Sequence, residues 1–177
     1  MKVAPIRTER LELVALAPQA IRQLIAIDSP AAERTLGLRL PHEFPNVDEL
    51  TGFLPIQLRR MEAEPDKRQW MARVMAGRGS RAVGHCGFHG PPETIGRAEI
   101  GYTVFSEFRG RGYAKEAARG LVSFAFEQGE REVYATVSPD NAPSLAVVKA
   151  LGFMQVGTQE DEVDGLELVF VIRAAGG

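Results

Sequence analysis

The sequence predicts one α/β domain built on a mixed sheet, spanning residues 1–177. Three observations carry this. Runs of period-two alternation occur near both ends and in the middle, one long helical stripe lies between two of these runs, and no repeat or linker divides the chain. A chain of about 150 residues buries roughly 70% of its unfolded surface, so a single core suffices.

Glu9 to Ala15 alternates, with Leu11, Leu13 and Ala15 on one face, and reads as a half-buried strand. Pro18 opens a helix whose Ile21, Leu24 and Ile25 form an apolar stripe, fading before Ser29-Pro30. Residues 30–47 hold Pro30, Pro41 and Pro45 without a clear period and read as a loop or broken helix. Val47 to Met61 regains helical spacing through Leu50, Phe53, Leu54, Leu58 and Met61, with Pro55 dividing it. Gln69–Met75 and Ala82–Phe88 read as strands joined by a hairpin at 76–80, and Gly90-Pro91-Pro92 as a turn. Arg97–Phe105 is a further strand, with Gly101 marking a bulge or a close backbone approach.

The clearest helix follows. Ala114, Ala117, Ala118, Leu121, Val122, Ala125 and Phe126 fall on one stripe, and Gly129 stops it. Glu132–Val137 is a strand, and Asn141 starts a short helix ending at Leu151-Gly152-Phe153. Phe153–Thr158 and Leu166–Ile172 close the chain as strands around the turn signal Asp164-Gly165, the last with Leu166, Leu168, Phe170 and Ile172 on one face.

Composition narrows the function classes. A formal net charge of −2 lacks the basic excess that nucleic-acid binding needs. No apolar run approaches the roughly 20 residues of a membrane span. Met1 to Pro5 leads into Arg7, Glu9 and Arg10 rather than an apolar signal segment, and the lone Cys86 forms no internal disulfide; a cytoplasmic home is expected. His85, Cys86 and His89 sit in a strand-like run where i and i+4 lie about 13 Å apart, too far to share an ion, so no metal is expected.

The segment Arg109-Gly110-Arg111-Gly112-Tyr113-Ala114 joins a strand to the long helix. A helix start offers free N–H groups and the positive end of the macrodipole, and glycines admit a ligand to the backbone. Arg109, Arg111, Lys115 and Arg119 outnumber Glu107 and Glu116 here, against the sign of the whole chain. On composition alone a solvated turn fits equally well. The Gly-Lys-Ser/Thr end of a P-loop and the third glycine of the dinucleotide fingerprint are both absent.

Arg-x-x-Gly-x-Ala at Arg109, Gly112 and Ala114 resembles the acetyl-CoA loop of the GNAT N-acetyltransferase superfamily. Ala98-Glu99-Ile100-Gly101-Tyr102 before it, and Asn141-x-x-Ser144 with Leu151-Gly152-Phe153 after it, resemble the branch of ribosomal-protein (RimJ/RimL type) and aminoglycoside-type enzymes. The likeness covers roughly residues 7–173. It implies the GNAT acyl-CoA N-acyltransferase fold, a mostly antiparallel sheet with a central splayed β-α-β unit. It also implies an acetyl-CoA-dependent N-acetyltransferase acting by direct transfer in a ternary complex on a primary amine, either a protein N-terminus or a small molecule, with homodimers common.

By the same resemblance, backbone groups of Tyr102, Thr103 and Val104 hold the pantetheine arm. The N–H groups of Arg111, Gly112, Tyr113 and Ala114, with Gly110, hold the pyrophosphate, and Arg109 adds charge. Glu99 is the candidate for deprotonating the amine, with a surface glutamate as the plain alternative. Where many superfamily members have a tyrosine to protonate the thiolate, this chain has Val148. Ser144 is then the candidate proton donor or sulfur partner, with helix capping as the alternative, and Asn141 serves as cap or pantetheine partner. The missing tyrosine leaves open a non-catalytic CoA-binding module. Phe44, Phe53 and Trp70 come from segments that by the resemblance cover the acceptor site, with core packing as the plainer reading, and Glu62, Glu64, Asp66 and Glu93 read as solvated charge or a rim for a cationic acceptor.

Overall fold

The computed structural model describes residues 3–162 and 165–176, so Asp164 of the expected turn lies outside the described residues. The chain enters through β1 (Ile6–Arg7) and β2 (Glu12–Ala15), then α1 (Pro18–Ile25) and α2 (Ser29–Leu36). A π-turn at Glu49–Phe53 runs into α3 (Leu54–Ala63), followed by a 3₁₀ segment at Pro65–Trp70. Next come β3 (Arg73–Gly77), β4 (Arg81–Phe88), the short α4 (Pro92–Ile95) and β5 (Ala98–Val104). After these lie α5 (Tyr113–Glu127), β6 (Glu132–Val137), α6 (Ala142–Ala150), β7 (Met154–Asp161) and β8 (Gly165–Arg173).

These strands make one sheet of order β1-β2-β3-β4-β5-β6-β8-β7. Every neighbouring pair is antiparallel except β5 and β6. Those two pair only at Ala98↔Val133 and Glu99↔Tyr134. Beyond Glu99, β5 stays with β4 as far as Gly84↔Val104, and β6 stays with β8 as far as Val137↔Leu168. Each strand follows its outer neighbour, and a gap opens between them. This is the mostly antiparallel sheet with a splayed β-α-β unit expected from the sequence.

The stripe of α5 buries Ala117, Ala118, Leu121, Val122 and Ala125 against the sheet. Full burial of a side chain such as Leu121 contributes about 1.5–3 kcal/mol.

Several expectations are corrected. The first strand starts at Glu12, because Thr8 to Leu11 form a turn that the sequence pattern ran into the strand. Residues 30–47 are not all loop. Pro30 falls in the first turn of α2, where it needs no N–H partner, and Asp28 caps that helix by accepting the Ala31 N–H at 3.1 Å. The strand expected at Gln69 begins at Arg73, since Trp70 ends the 3₁₀ segment. In β8 the deeply buried side chains are Val169 and Val171, opposite the face carrying Leu166 and Phe170.

Candidate active site

Gly112, at φ +79°, is the N-cap of α5 and has no side chain to cap it. The first ladder bond runs from the Glu116 N–H to the Gly112 carbonyl, which leaves the N–H groups of Gly112, Tyr113, Ala114 and Lys115 without ladder partners. Gly110 also sits in the left-handed region, at φ +72°. Together they turn the backbone beside a cavity of about 630 Å³. That cavity is lined by Tyr102, Thr103, Val104, Arg109, Gly110, Gly112, Tyr113, Ala114, Lys115, Asn141 and Ser144 among others. The expected loop residues therefore converge, except that Arg111 points elsewhere. Its guanidinium donates to the Glu107 carbonyl at 3.0 Å and lies over the Phe108 ring.

A clamp from the far N-terminal turn holds this loop. Arg10 donates to the Arg111 carbonyl (2.9 Å) and ion-pairs with Glu116 (2.7 Å), which also accepts from Thr8 (2.6 Å) and from the Arg10 N–H (2.6 Å). Burial raises the Glu116 carboxyl, but these bonds outweigh it and hold the group below the usual carboxylate range. Nothing in the local sequence of α5 signals a partner more than 100 residues away.

Along β5 the main chain alternates. The Glu99 carbonyl accepts from His89 N–H and the Phe105 N–H donates to Val83, so odd-numbered residues bond to β4. Ile100, Tyr102 and Val104 thus turn their backbone groups toward the gap, and Arg109 Nε already reaches the Val104 carbonyl at 3.2 Å. Thr103 lines the cavity as well, but it pairs with His85, so its N–H and C=O belong to the β4 ladder rather than to the gap.

Asn141 accepts the Ser144 N–H at 3.1 Å and caps α6. The Ser144 side chain remains toward the cavity, beside the Tyr102 hydroxyl, which is buried without a hydrogen bond among the described residues. Burial pushes that phenol up, and the Ser144 side chain opposes the shift. Val148, in the position where a tyrosine is usual, is core, 1% exposed. Tyr102 thus brings a phenol to the cavity from the strand instead of the helix, a role for its side chain that the sequence reading did not consider.

Glu99 is no surface glutamate. Its side chain is 8% exposed; Oε2 pairs with Arg97 at 2.6 Å, and Oε1 accepts from Thr136 at 2.8 Å. A buried carboxylate needs such partners. His89 Nδ1 stands 3.4 Å from Oε1, and its ring is 48% exposed. Gly101 makes room for that ring: a Cβ there would meet His89 Nε2 at 3.0 Å, and β4 and β5 keep register through it. The glycine marks a close approach, not a bulge. His89 lines a cavity of about 290 Å³ in the gap, with Tyr102, Thr136, Asn141 and Ser144, and one of about 410 Å³ on the other face, with Phe53, Gln57 and Arg60.

The second histidine serves other neighbours. His85 Nε2 is 3.0 Å from Glu49, and the ring stacks on Phe53 at 4.4 Å, with Phe44 and Phe105 closing the box. Trp70 packs edge-on against Phe88 and Phe124 in the core. The acidic rim is largely matched by cations, Glu62 by Arg22 and both Glu64 and Glu93 by Lys67.

A family model described as an acetyltransferase (GNAT) domain matches residues 10–154. The uncharacterized N-acetyltransferase p20 of Bacillus licheniformis is 35% identical over 80 residues, 45% of this chain and 45% of that protein. The match therefore spans less than half of that relative's length. The crystal structure of an acetyltransferase from Agrobacterium tumefaciens str. C58 aligns at TM-score 0.65 and 27% identity, covering 98% of this chain and 96% of that one. A ribosomal-protein-S5-alanine acetyltransferase from Vibrio fischeri has the same fold at TM-score 0.65 and 14% identity, covering 97% of both.

Proposed function

Because the chain belongs to the GNAT acetyltransferase family, we propose that it moves the acetyl group of acetyl-CoA to a primary amine by direct transfer in a ternary complex. One observation carries this reading. The cavity at the head of α5, the gap between β5 and β6, and the cavity on the far face of the sheet all meet at Tyr102. A ligand entering from the loop and an amine entering from the other face would converge at one place.

The residues fit the cosubstrate. Unpaired N–H groups at the start of α5, with Arg109 and Lys115 nearby, suit a pyrophosphate. Backbone groups of Tyr102 and Val104 suit the amide-bearing pantetheine arm as an added strand, and Asn141 suits its far end. When bound, acetyl-CoA supplies an activated acyl group, and an N–H at the β5 edge would polarise its carbonyl. Ser144, with the Tyr102 phenol beside it, is suited to give the leaving thiolate a proton. The Glu99 cluster is suited to draw the proton from the amine. A protein N-terminus or a small-molecule amine would be the acceptor.

Free thiol release from acetyl-CoA in the presence of N-terminal peptides, polyamines and aminoglycosides tests the reading. Cys86 will not obscure the assay: burial pushes its thiol up to about 12, against a smaller opposing effect of Arg73. The expected result is amine-dependent thiol release. Thermal stabilisation by CoA without release would instead favour a non-catalytic CoA-binding module, the reading that Val148 suggests.

A further inference from the structure

We propose that His89 is the group that takes the proton from the attacking amine, and that Glu99 is its positioning residue. The proposal deepens the acetyltransferase reading and rests on it. Glu99 is the buried member of the pair, with both oxygens engaged by Arg97 and Thr136. His89 is the accessible one, and no protein donor or acceptor among the described residues meets its Nε2. With Oε1 3.4 Å from Nδ1, a ring proton on Nδ1 would face the carboxylate and leave the lone pair on Nε2. Nε2 lies over Gly101, at the boundary of the gap cavity and the far-face cavity.

The main chain fixes the ring from both sides. The His89 N–H donates to the Glu99 carbonyl, and the His89 carbonyl accepts from Arg60 of α3. The other charged or titratable groups around it are Arg97, just before β5 and behind Glu99, Tyr102 on β5, Glu167 on β8 and, along the far-face cavity, Arg60 on α3 with His85 and Cys86 on β4.

The step balances. The amine nitrogen bonds to the acyl carbon as the C–S bond breaks, its proton passes to His89 Nε2, and the sulfur takes a proton from the Ser144 side of the gap. The imidazolium, held against Glu99, then loses its proton to solvent, and the donating hydroxyl regains one.

The test is the pH profile of kcat/KM for thiol release in wild type, His89→Gln, Glu99→Gln and Gly101→Ala. Wild type should show an acid limb. His89→Gln should lose that limb and about 10²–10⁴-fold in kcat/KM, with CoA affinity unchanged. Glu99→Gln should cost less and keep the limb. Gly101→Ala crowds Nε2 and should fall in the direction of His89→Gln; it covers the case in which His89→Gln fails to fold. Unchanged kcat/KM in His89→Gln, or an acid limb lost only in Glu99→Gln, overturns the proposal while leaving the acetyltransferase reading intact. A readout independent of turnover is the ring tautomer by long-range ¹H–¹⁵N NMR, with only three histidines to assign. Neutral His89 should carry its proton on Nδ1, and a proton on Nε2 overturns the proposal. An inactive wild type that still binds CoA overturns the proposed function itself, and the His89 role with it.

Discussion

The two sides of the β5–β6 gap are built in different ways. The face at the head of α5 is made of main chain: glycines at positive φ, unpaired helix amides and a strand edge. The opposite face is made of side chains brought from separate segments. His89 follows β4, Arg97 precedes β5 and Glu99 lies near its start, Thr136 comes from β6, and Arg60 from α3. A backbone site needs small residues at fixed spacing, so it leaves a local mark in the sequence. A side-chain cluster needs only that the fold bring its members together.

Gly112→Val should give the largest effect on the backbone side. Holding a β-branched residue at φ +79° costs about 1–3 kcal/mol, and relaxing that angle turns the amides away. CoA affinity by calorimetry should fall about 10–100-fold, or about 1.4–2.7 kcal/mol. Arg109→Ala removes an exposed charge and should cost about 1 kcal/mol or less. If Arg109→Ala is the worse variant, side-chain charge binds the ligand and the contrast between the faces fails.

The same contrast explains what was legible. The α5 stripe and β6 follow directly from residue spacing, and Arg109, Gly110, Gly112, Tyr113 and Ala114 of the loop line one cavity, which Arg111 does not. The exception along β5 is Thr103, whose main chain points the wrong way; single-residue alternation in a strand depends on register with β4, which spacing does not carry. Glu99 stood out through the resemblance of the stretch 98–102, but its burial and its partner His89 did not, because they arise from strand pairing. The choice between loop and broken helix for residues 30–47 stayed open for a local reason: Pro30 reads as a breaker unless Asp28 is recognised as a cap of α2.

Asn141 and Ser144 share a short stretch yet should separate by readout. Asn141→Ala removes the acceptor of the Ser144 N–H and should cost about 1 kcal/mol of stability as well as CoA affinity. Ser144→Ala keeps that cap, so its stability should be near wild type and its effect confined to turnover. Equal melting temperatures for both variants would remove the capping role of Asn141.

The smallest effect should come from the clamp, the one place where side chains support the backbone side. Glu116 is held below its ordinary range by Thr8 and Arg10, so it contributes stability that is present above the unfolded value, about 4.3, and is lost as pH falls through the folded one. Its bonds are partly open to solvent, so the loss should be a few tenths of a kcal/mol to about 1 kcal/mol. Denaturant unfolding at pH 7 and pH 3.5 should show a smaller acid loss in Glu116→Gln than in wild type. CoA affinity should fall in the variant at pH 7 as well, because Arg10, released from Glu116, no longer holds the Arg111 carbonyl at the turn. Identical acid losses in the two proteins would show that the clamp does not stabilise the loop through its charge.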